Sequence, residues 1–168
     1  FEMIGGTHEL LPNDVLQELM HKSLSQVGGF DYTTTENEFA KRIAETLGKP
    51  LDMAFVNGVE PYDPNALPMG STDVGDVSFT VPTAGMGAAT WVPGTPAHSW
   101  QAVATGGTSI GNKGMLVAAK TLALTAFKLL DNPKIMEEAH AEFLEKRGVD
   151  FKYIPLLGDR SPALDYRN

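Results

Sequence analysis

Four stretches of the chain place apolar residues at three- and four-residue spacing, the period of a helix with one buried face. Each is bounded by residues that start or stop helices, such as Asn13 before the first and Gly28 after it. Thr35 and Glu38 have the spacing of a capping box at the start of the second. The pattern predicts helices over residues 14–27, 35–47, 109–130 and 133–148.

Two short apolar segments lie between the second and third predicted helices. Residues 77–81 alternate and include β-branched side chains, whereas residues 87–92 are small and apolar. Both patterns are typical of strands in a buried sheet. A sharp turn is predicted at residues 93–96, and a long irregular loop at residues 52–70. Strands that alternate with helices predict an α/β fold.

Composition narrows the classes of partner. The chain has 168 residues, enough for one domain, and a formal net charge of −8, which excludes a nucleic-acid partner because phosphate binding needs clustered cations. It has no cysteine, so disulfides and thiolate metal sites are excluded, and a reducing cytoplasm is expected. The longest apolar stretch, residues 115–130, contains Lys120 and Lys128, which favours a buried helix over a membrane span.

Four histidines are the first candidates for chemistry. His21 and His140 lie within predicted helices among polar neighbours, which predicts solvated surface positions. His8 precedes a glutamate, but no second histidine follows at helical metal-binding spacing. His98 follows the predicted turn, where a rigid scaffold can hold an imidazole at the edge of a cleft. From the residues alone, a lone histidine in such a place is more often structural than a ligand.

Two polar segments are further candidates. Asp73 has two interpretations, either orienting a metal-bound imidazole or accepting backbone hydrogen bonds in an Asx turn. Residues 106–113 resemble a phosphate-binding loop but fail the pattern, because Asn112 stands where the lysine is required. Amides around Thr108 and Ser109 at the helix start remain candidates for holding an anion such as a substrate carboxylate. These residues do not form a complete active site.

Several motifs together closely resemble the p-aminobenzoyl-glutamate hydrolase B-subunit group of the zinc aminoacylase and carboxypeptidase superfamily. The resemblance implies an α/β fold, in which residues 11–168 are the C-terminal part of a three-layer catalytic domain with a mixed sheet flanked by helices. It also implies that residues 1–10 end a lid domain that mediates dimerisation. The motifs are residues 70–78 (GSTDVGDVS), 81–83 (VPT), 94–101 (GTPAHSWQ), 107–111 (GTSIG) and 113–115 (KGM).

The resemblance implies a metal-dependent amidohydrolase. Its metal, zinc or manganese, would activate water to cleave the amide bond of aminobenzoyl-glutamate or of a similar N-acyl amino acid or dipeptide. His98 falls on the late metal ligand, and one departure is Asn112, where the motif leads us to expect a histidine. The positions expected to line the cleft or support the ligand are Ser71, Thr72, Asp73, Thr108 and Ser109.

The resemblance also implies that the general base and the remaining ligands belong to an N-terminal half that this sequence lacks. We therefore expect the isolated chain to be inactive and to hold little or no metal. The partners implied are a small amide substrate, the N-terminal half of the same enzyme, and a second copy or another subunit. The alternative is that the chain is a non-catalytic binding or structural module.

Overall fold

The computed structural model describes residues 5–66, 72–159, 161 and 164. Seven helices and no strand are found within these residues. The four predicted helices are confirmed, with bounds that differ from the prediction by two residues at most. In chain order the helices are α1 (Asp14–Val27), α2 (Thr34–Leu47), α3 (Ala54–Asn57), α4 (Val74–Ser78), α5 (Trp100–Gly106), α6 (Ser109–Asp131) and α7 (Pro133–Arg147).

The prediction of an α/β fold with a mixed sheet is wrong, since the described part of the chain is helical throughout its regular structure. Residues 77–81 instead end α4 and turn, with the Val81 amide donating to the Val77 carbonyl at 3.0 Å. Residues 87–92 form no regular element, and the Thr90 amide donates to the Ala88 carbonyl at 2.8 Å. The error has a physical reason: a short apolar run suits any buried segment, and it becomes a strand only where another backbone pairs with it.

The start of α2 differs from the predicted capping box by two residues. Thr33, and not Thr35, is the N-cap: its hydroxyl accepts from the Glu36 amide at 3.3 Å, and the Glu36 carboxylate accepts from the Thr33 amide at 2.6 Å. Both frames have a threonine three residues before a glutamate. The earlier frame buries Glu36 among further donors, which the later frame would not do.

The start of α1 is held by α7. Asn13 caps α1 by accepting from the Leu16 amide, while its side-chain amide donates to the Ala139 carbonyl at 2.8 Å. The Glu142 carboxylate accepts from the Asp14 amide at 2.7 Å, so an acidic group from one helix satisfies free amides at the N-terminus of another. This arrangement fixes α7 across the first turn of α1.

The apolar core lies where α2, α3 and the start of α6 meet. From there α6 extends to pack on α1 and α7, with the small side chains Thr121 and Thr125 on its buried face. Their hydroxyls donate to carbonyls one turn earlier, at 2.9 and 2.8 Å, so these polar groups are satisfied inside the protein. The core residues are Tyr32, Ala40, Ile43, Val56, Val92 and Ile110.

The predicted domain boundary near residue 10 stays a prediction. Residues 1–4 lie outside the described part of the chain, and residues 5–10 are irregular. The His8 amide donates to the Asp76 carboxylate at 3.1 Å, which ties this segment to α4. None of the helices within the described ranges has the length and apolar character needed to cross a membrane.

Candidate functional site

His98 lies in a short, hydrogen-bonded turn before α5. The Thr95 amide donates to the Val92 carbonyl at 3.1 Å, which confirms the turn predicted at residues 93–96. Ser99 caps α5, accepting from the Ala102 amide at 3.2 Å and donating to the Pro96 carbonyl at 2.7 Å. The residue before this cap is His98, and its side chain is exposed. The turn thus presents an imidazole to solvent from a fixed backbone.

The backbone of His98 has a φ of +58°, and it is the one non-glycine residue with positive φ in the described ranges. Residues other than glycine adopt this left-handed conformation in only a few per cent of cases, most often asparagine, aspartate and histidine, and it costs roughly 1–2 kcal/mol. Hydrogen bonds on both sides of His98 enforce the conformation. Unusual backbone conformations of this kind concentrate at functional positions, because the strain must be tolerated for some reason other than stability.

The other three histidines have different surroundings. His8 lies among aromatic rings, with its centroid 5.0 Å from that of Phe79 and 5.6 Å from that of Tyr153. His21 contacts the Glu60 carbonyl through Nε2 at 2.9 Å, and His140 is exposed on α7. His8 and His21 therefore each contact residues that are distant in the sequence.

Thr72 and Asp73 precede α4, and both are exposed. The Thr72 hydroxyl accepts from the Val74 amide at 3.2 Å. The Asp73 side chain makes no capping hydrogen bond, so the Asx-turn interpretation is not supported. Ser71, the third candidate in this segment, lies outside the described residues. Among the hydrogen bonds of the described residues, none joins this segment to His98.

Thr108 and Ser109 both act within the protein. Thr108 is the N-cap of α6, accepting from the Ile110 amide at 3.3 Å and donating to the Thr105 carbonyl at 2.6 Å. The Ser109 hydroxyl donates to Glu36 Oε1 at 2.6 Å. The Ser109 hydroxyl therefore binds a carboxylate of the protein itself, and the binding of an anion by the amides at this helix start stays a prediction.

Glu36 is the centre of a buried charge cluster between α2 and α6. Lys113 Nζ donates to Glu36 Oε2 at 2.6 Å and to the Asp31 carbonyl at 2.9 Å. Burial alone would raise the pKa of Glu36, but the hydrogen bonds from Lys113, Ser109 and Thr33 outweigh it and lower the pKa to about 2. Beside the cluster, burial and the Glu36 charge raise the pKa of Tyr32 to about 12. Glu36 is therefore ionised at neutral pH, and the Tyr32 hydroxyl beside it keeps its proton.

A complete metal site is not present within the described ranges. No group of three or more histidine, aspartate, glutamate or cysteine side chains is close enough together to hold an ion. Catalytic zinc needs about three protein ligands, usually from several elements. His98 has the donor type, exposure and rigid backbone that fit one position of such a site, and the other described residues do not complete it.

Comparison with known proteins decides the relationship. The chain is 33% identical to the B-subunit of p-aminobenzoyl-glutamate hydrolase from Escherichia coli (strain K12) in an alignment of 179 positions that covers 91% of this chain. The chain is related to the p-aminobenzoyl-glutamate hydrolase B-subunit group. It spans 37% of the length of that relative. No family model matches the chain, and no solved structure matches it.

The motifs through which the chain resembles the p-aminobenzoyl-glutamate hydrolase B-subunit group include glycines with a packing role. A Cβ on Gly111 would lie 2.2 Å from the Gly106 carbonyl oxygen, and a Cβ on Gly114 would lie 2.5 Å from that of Ala89. Only glycine allows the backbones to approach this closely. Gly114 thus lets Ala89 and Thr90 pack closely against α6, and Gly111 does the same for the end of α5.

The pair formed by Glu36 and Lys113 was not predicted from the sequence. The two residues lie 77 positions apart, and neither belongs to a short catalytic pattern. One signal was available: Lys113 opens the 113–115 motif that resembles the p-aminobenzoyl-glutamate hydrolase B-subunit group, and a lysine just beyond a helix start needs an acidic partner when it is half-buried.

Proposed function

We propose that this chain forms part of a metal-dependent hydrolase that cleaves the amide bond of p-aminobenzoyl-glutamate or of a similar N-acyl amino acid or dipeptide. The similarity to the p-aminobenzoyl-glutamate hydrolase B-subunit over 91% of the chain supports the substrate class. The structural observation that carries the proposal is His98, an exposed imidazole on a strained backbone held by hydrogen bonds on both sides.

In this proposal His98 is one ligand of a zinc or manganese site. Its position after a tight turn and before a capped helix limits the movement of the imidazole, as a ligand requires. A bound divalent metal supplies polarisation of the scissile carbonyl and activation of water. The remaining ligands and the general base are proposed to come from residues that this sequence does not contain, because the described residues do not complete the site.

The other candidate residues divide into two groups. Ser71, Thr72 and Asp73 are proposed to line the substrate side of the cleft, and the exposure of Thr72 and Asp73 supports this role. Thr108 and Ser109 are proposed to act indirectly, because their hydroxyls are engaged with Thr105 and Glu36. They would position the start of α6 and the end of α5 and would not contact substrate.

The name of the relative identifies it as one subunit of an enzyme. We extend this to the present chain and propose that its parent protein also works with a partner subunit. A cytoplasmic location is part of the same proposal, supported by the absence of cysteine from the sequence.

A chimera tests the proposal. This chain would replace the matched segment of the Escherichia coli protein, and hydrolysis of p-aminobenzoyl-glutamate would be measured with the partner subunit and zinc or manganese present. We expect turnover by the chimera, no turnover by the isolated chain, and a loss of at least about a thousandfold when His98 is replaced by alanine. The matched control is His140→Ala, which removes an exposed histidine from α7 and should leave the rate unchanged.

Two outcomes would contradict the proposal. A chimera that folds, judged by its circular dichroism and sedimentation, but hydrolyses nothing with either metal would favour a non-catalytic binding or structural module. A chimera in which His98→Ala and His140→Ala behave alike would show that His98 is not a ligand.

A further inference from the structure

The first turn of α5 carries an apolar patch beside His98. Trp100 is the first residue of the helix and is 59% exposed, and Val103 is 80% exposed. Because residues three positions apart are neighbours on the surface of a helix, the two side chains form one patch. Single exposed apolar residues are common and need no explanation. This patch differs because it adjoins an exposed imidazole on a strained backbone.

The rest of α5 holds the patch in place. Thr105 is buried, and the Gln101 side-chain amide donates to the Thr46 hydroxyl of α2 at 3.3 Å. The Ser99 cap fixes the turn before the helix. Trp100 lies between these two anchors. A tryptophan has only two side-chain torsions, so an indole on a fixed backbone offers a large flat surface at a low cost in conformational entropy.

The spacing places the indole close to the proposed metal ligand. Trp100 follows His98 by two positions, and two residues of extended chain span at most about 7 Å. The Cα atoms of the two residues therefore lie within that distance of each other. A molecule that occupies the site at the His98 imidazole can contact the Trp100 indole at the same time.

The chemistry of the proposed substrate matches this pair of groups. In p-aminobenzoyl-glutamate the aromatic ring is bonded directly to the carbonyl carbon of the scissile amide. A site that holds this carbonyl must therefore also accommodate the ring. Sites for small molecules combine apolar and aromatic surface with a few polar groups that fix orientation. An indole beside a metal-binding imidazole supplies one of each, and stacked rings attract each other beyond the apolar area that they bury.

We propose that Trp100, with Val103 beside it, forms the subsite that binds the aromatic ring of the acyl group. This inference rests on the proposed function and deepens it, because it selects an aromatic acyl group among the N-acyl amino acids and dipeptides. Trp100 determines specificity through contact with the ring, whereas the reacting carbonyl belongs to the metal site at His98.

Two substrates that share glutamate isolate the contribution of the ring. The chimera with the Escherichia coli protein would hydrolyse p-aminobenzoyl-glutamate or N-acetyl-glutamate, with the partner subunit and metal present. Trp100→Leu should lower kcat/KM for p-aminobenzoyl-glutamate about tenfold, mainly through KM, and for N-acetyl-glutamate less than about twofold. Trp100→Phe keeps a ring and should recover most of the loss.

Phe127→Leu is the matched control, because Phe127 is also an exposed aromatic residue but lies about 27 Å along α6 from Ser109. It should leave both rates unchanged. Equal losses on the two substrates in Trp100→Leu, or no loss on either, would overturn the aromatic subsite and leave the proposed hydrolase function intact. A folded chimera that cleaves neither substrate would overturn the proposed function and this inference with it.

Binding of the product measures the same contact without turnover. Hydrolysis of the amide releases p-aminobenzoate, which retains the ring. Equilibrium dialysis of p-aminobenzoate against the metal-free chimera would give its dissociation constant. We expect Trp100→Leu to raise this constant about tenfold and Phe127→Leu to leave it unchanged. Equal constants in the unsubstituted chimera and Trp100→Leu, or no binding to the unsubstituted chimera, would overturn the proposed subsite.

Discussion

Glu36 and Lys113 form an ion pair at 2.6 Å, although 77 positions separate them in the chain. Glu36 also caps its own helix and accepts from the Ser109 hydroxyl at 2.6 Å. One carboxylate therefore connects the start of α2 to the start of α6. Since the turn bearing His98 leads into α5, which packs on α6, this cluster supports the elements beside the proposed metal ligand.

The low pKa of Glu36 predicts acid sensitivity. Its pKa is about 2 in the folded chain against an ordinary value of 4.5. The stabilisation is therefore present above about pH 4.5 and is lost as the pH falls toward 2. We expect the free energy of unfolding of Glu36→Gln, measured with urea, to depend less on pH over this range than that of the wild type.

Glu38→Gln is the matched control, because Glu38 is exposed on the same helix. It should retain the wild-type dependence on pH. If the free energy of unfolding changed with pH equally in wild type and Glu36→Gln between about pH 5 and pH 2, the cluster would not lower the pKa of Glu36.

Removing only the Lys113 cation should destabilise the fold more than removing both Lys113 and the Glu36 charge. Lys113→Met leaves Glu36 ionised and buried, and we expect a loss of about 3 kcal/mol in the free energy of unfolding at pH 7. The double variant Glu36→Gln with Lys113→Met should recover part of that loss. As a control, Lys134→Met removes an exposed pair with Glu138 at 3.7 Å and should cost less than about 0.5 kcal/mol. A Lys113→Met protein as stable as Lys134→Met would refute the assigned role.

Gly114 should not tolerate a methyl group. In Gly114→Ala the new Cβ would meet the Ala89 carbonyl oxygen at 2.5 Å, and we expect a net loss of about 2 kcal/mol although alanine favours helices. Gly107→Ala is the control, since a Cβ there meets nothing within 4 Å. Thermal unfolding of the two variants provides the comparison. Equal melting temperatures would mean that residues 87–92 do not pack on α6 as described.

A glycine substitution tests whether the backbone of His98 is strained. His98→Gly should be more stable than His98→Ala by about 1 kcal/mol, because glycine adopts positive φ without the steric cost of a Cβ. Urea unfolding of both variants measures the difference. If alanine proves as stable as glycine, the left-handed conformation is not present in solution.

Local signals were sufficient to predict the long helices. Asn13, Gly28 and Pro133 act on the backbone within a few residues, so the sequence reveals their effect directly. Local signals did not identify the cap of α2, which is Thr33 and not the predicted Thr35. Both threonines precede a glutamate by three residues, and the contact of Glu36 with Lys113 lies far along the chain. The strand predictions failed for the same reason: residues 77–81 and 87–92 would need a pairing partner, which local pattern cannot supply.

In the candidate site too, local features could be predicted from the sequence, whereas contacts between distant residues could not. The turn before His98 is local and was predicted correctly, and a hydrogen bond from the Thr95 amide closes it. The contacts of Ser109 were not predicted, because its partner Glu36 lies on another helix. The packing glycines were part of recognised motifs, but what they pack against became clear only in three dimensions.

The metal content of the chimera tests most directly whether His98 is a ligand. Purified chimeras carrying His98, His98→Ala or His98→Gly would be equilibrated with zinc or manganese, and bound metal would be measured by mass spectrometry. We predict stoichiometric metal with His98, and at least about a tenfold weaker affinity in both variants, including the glycine variant that relieves backbone strain. Equal metal content and affinity in all three proteins would contradict the assignment of His98 as a metal ligand.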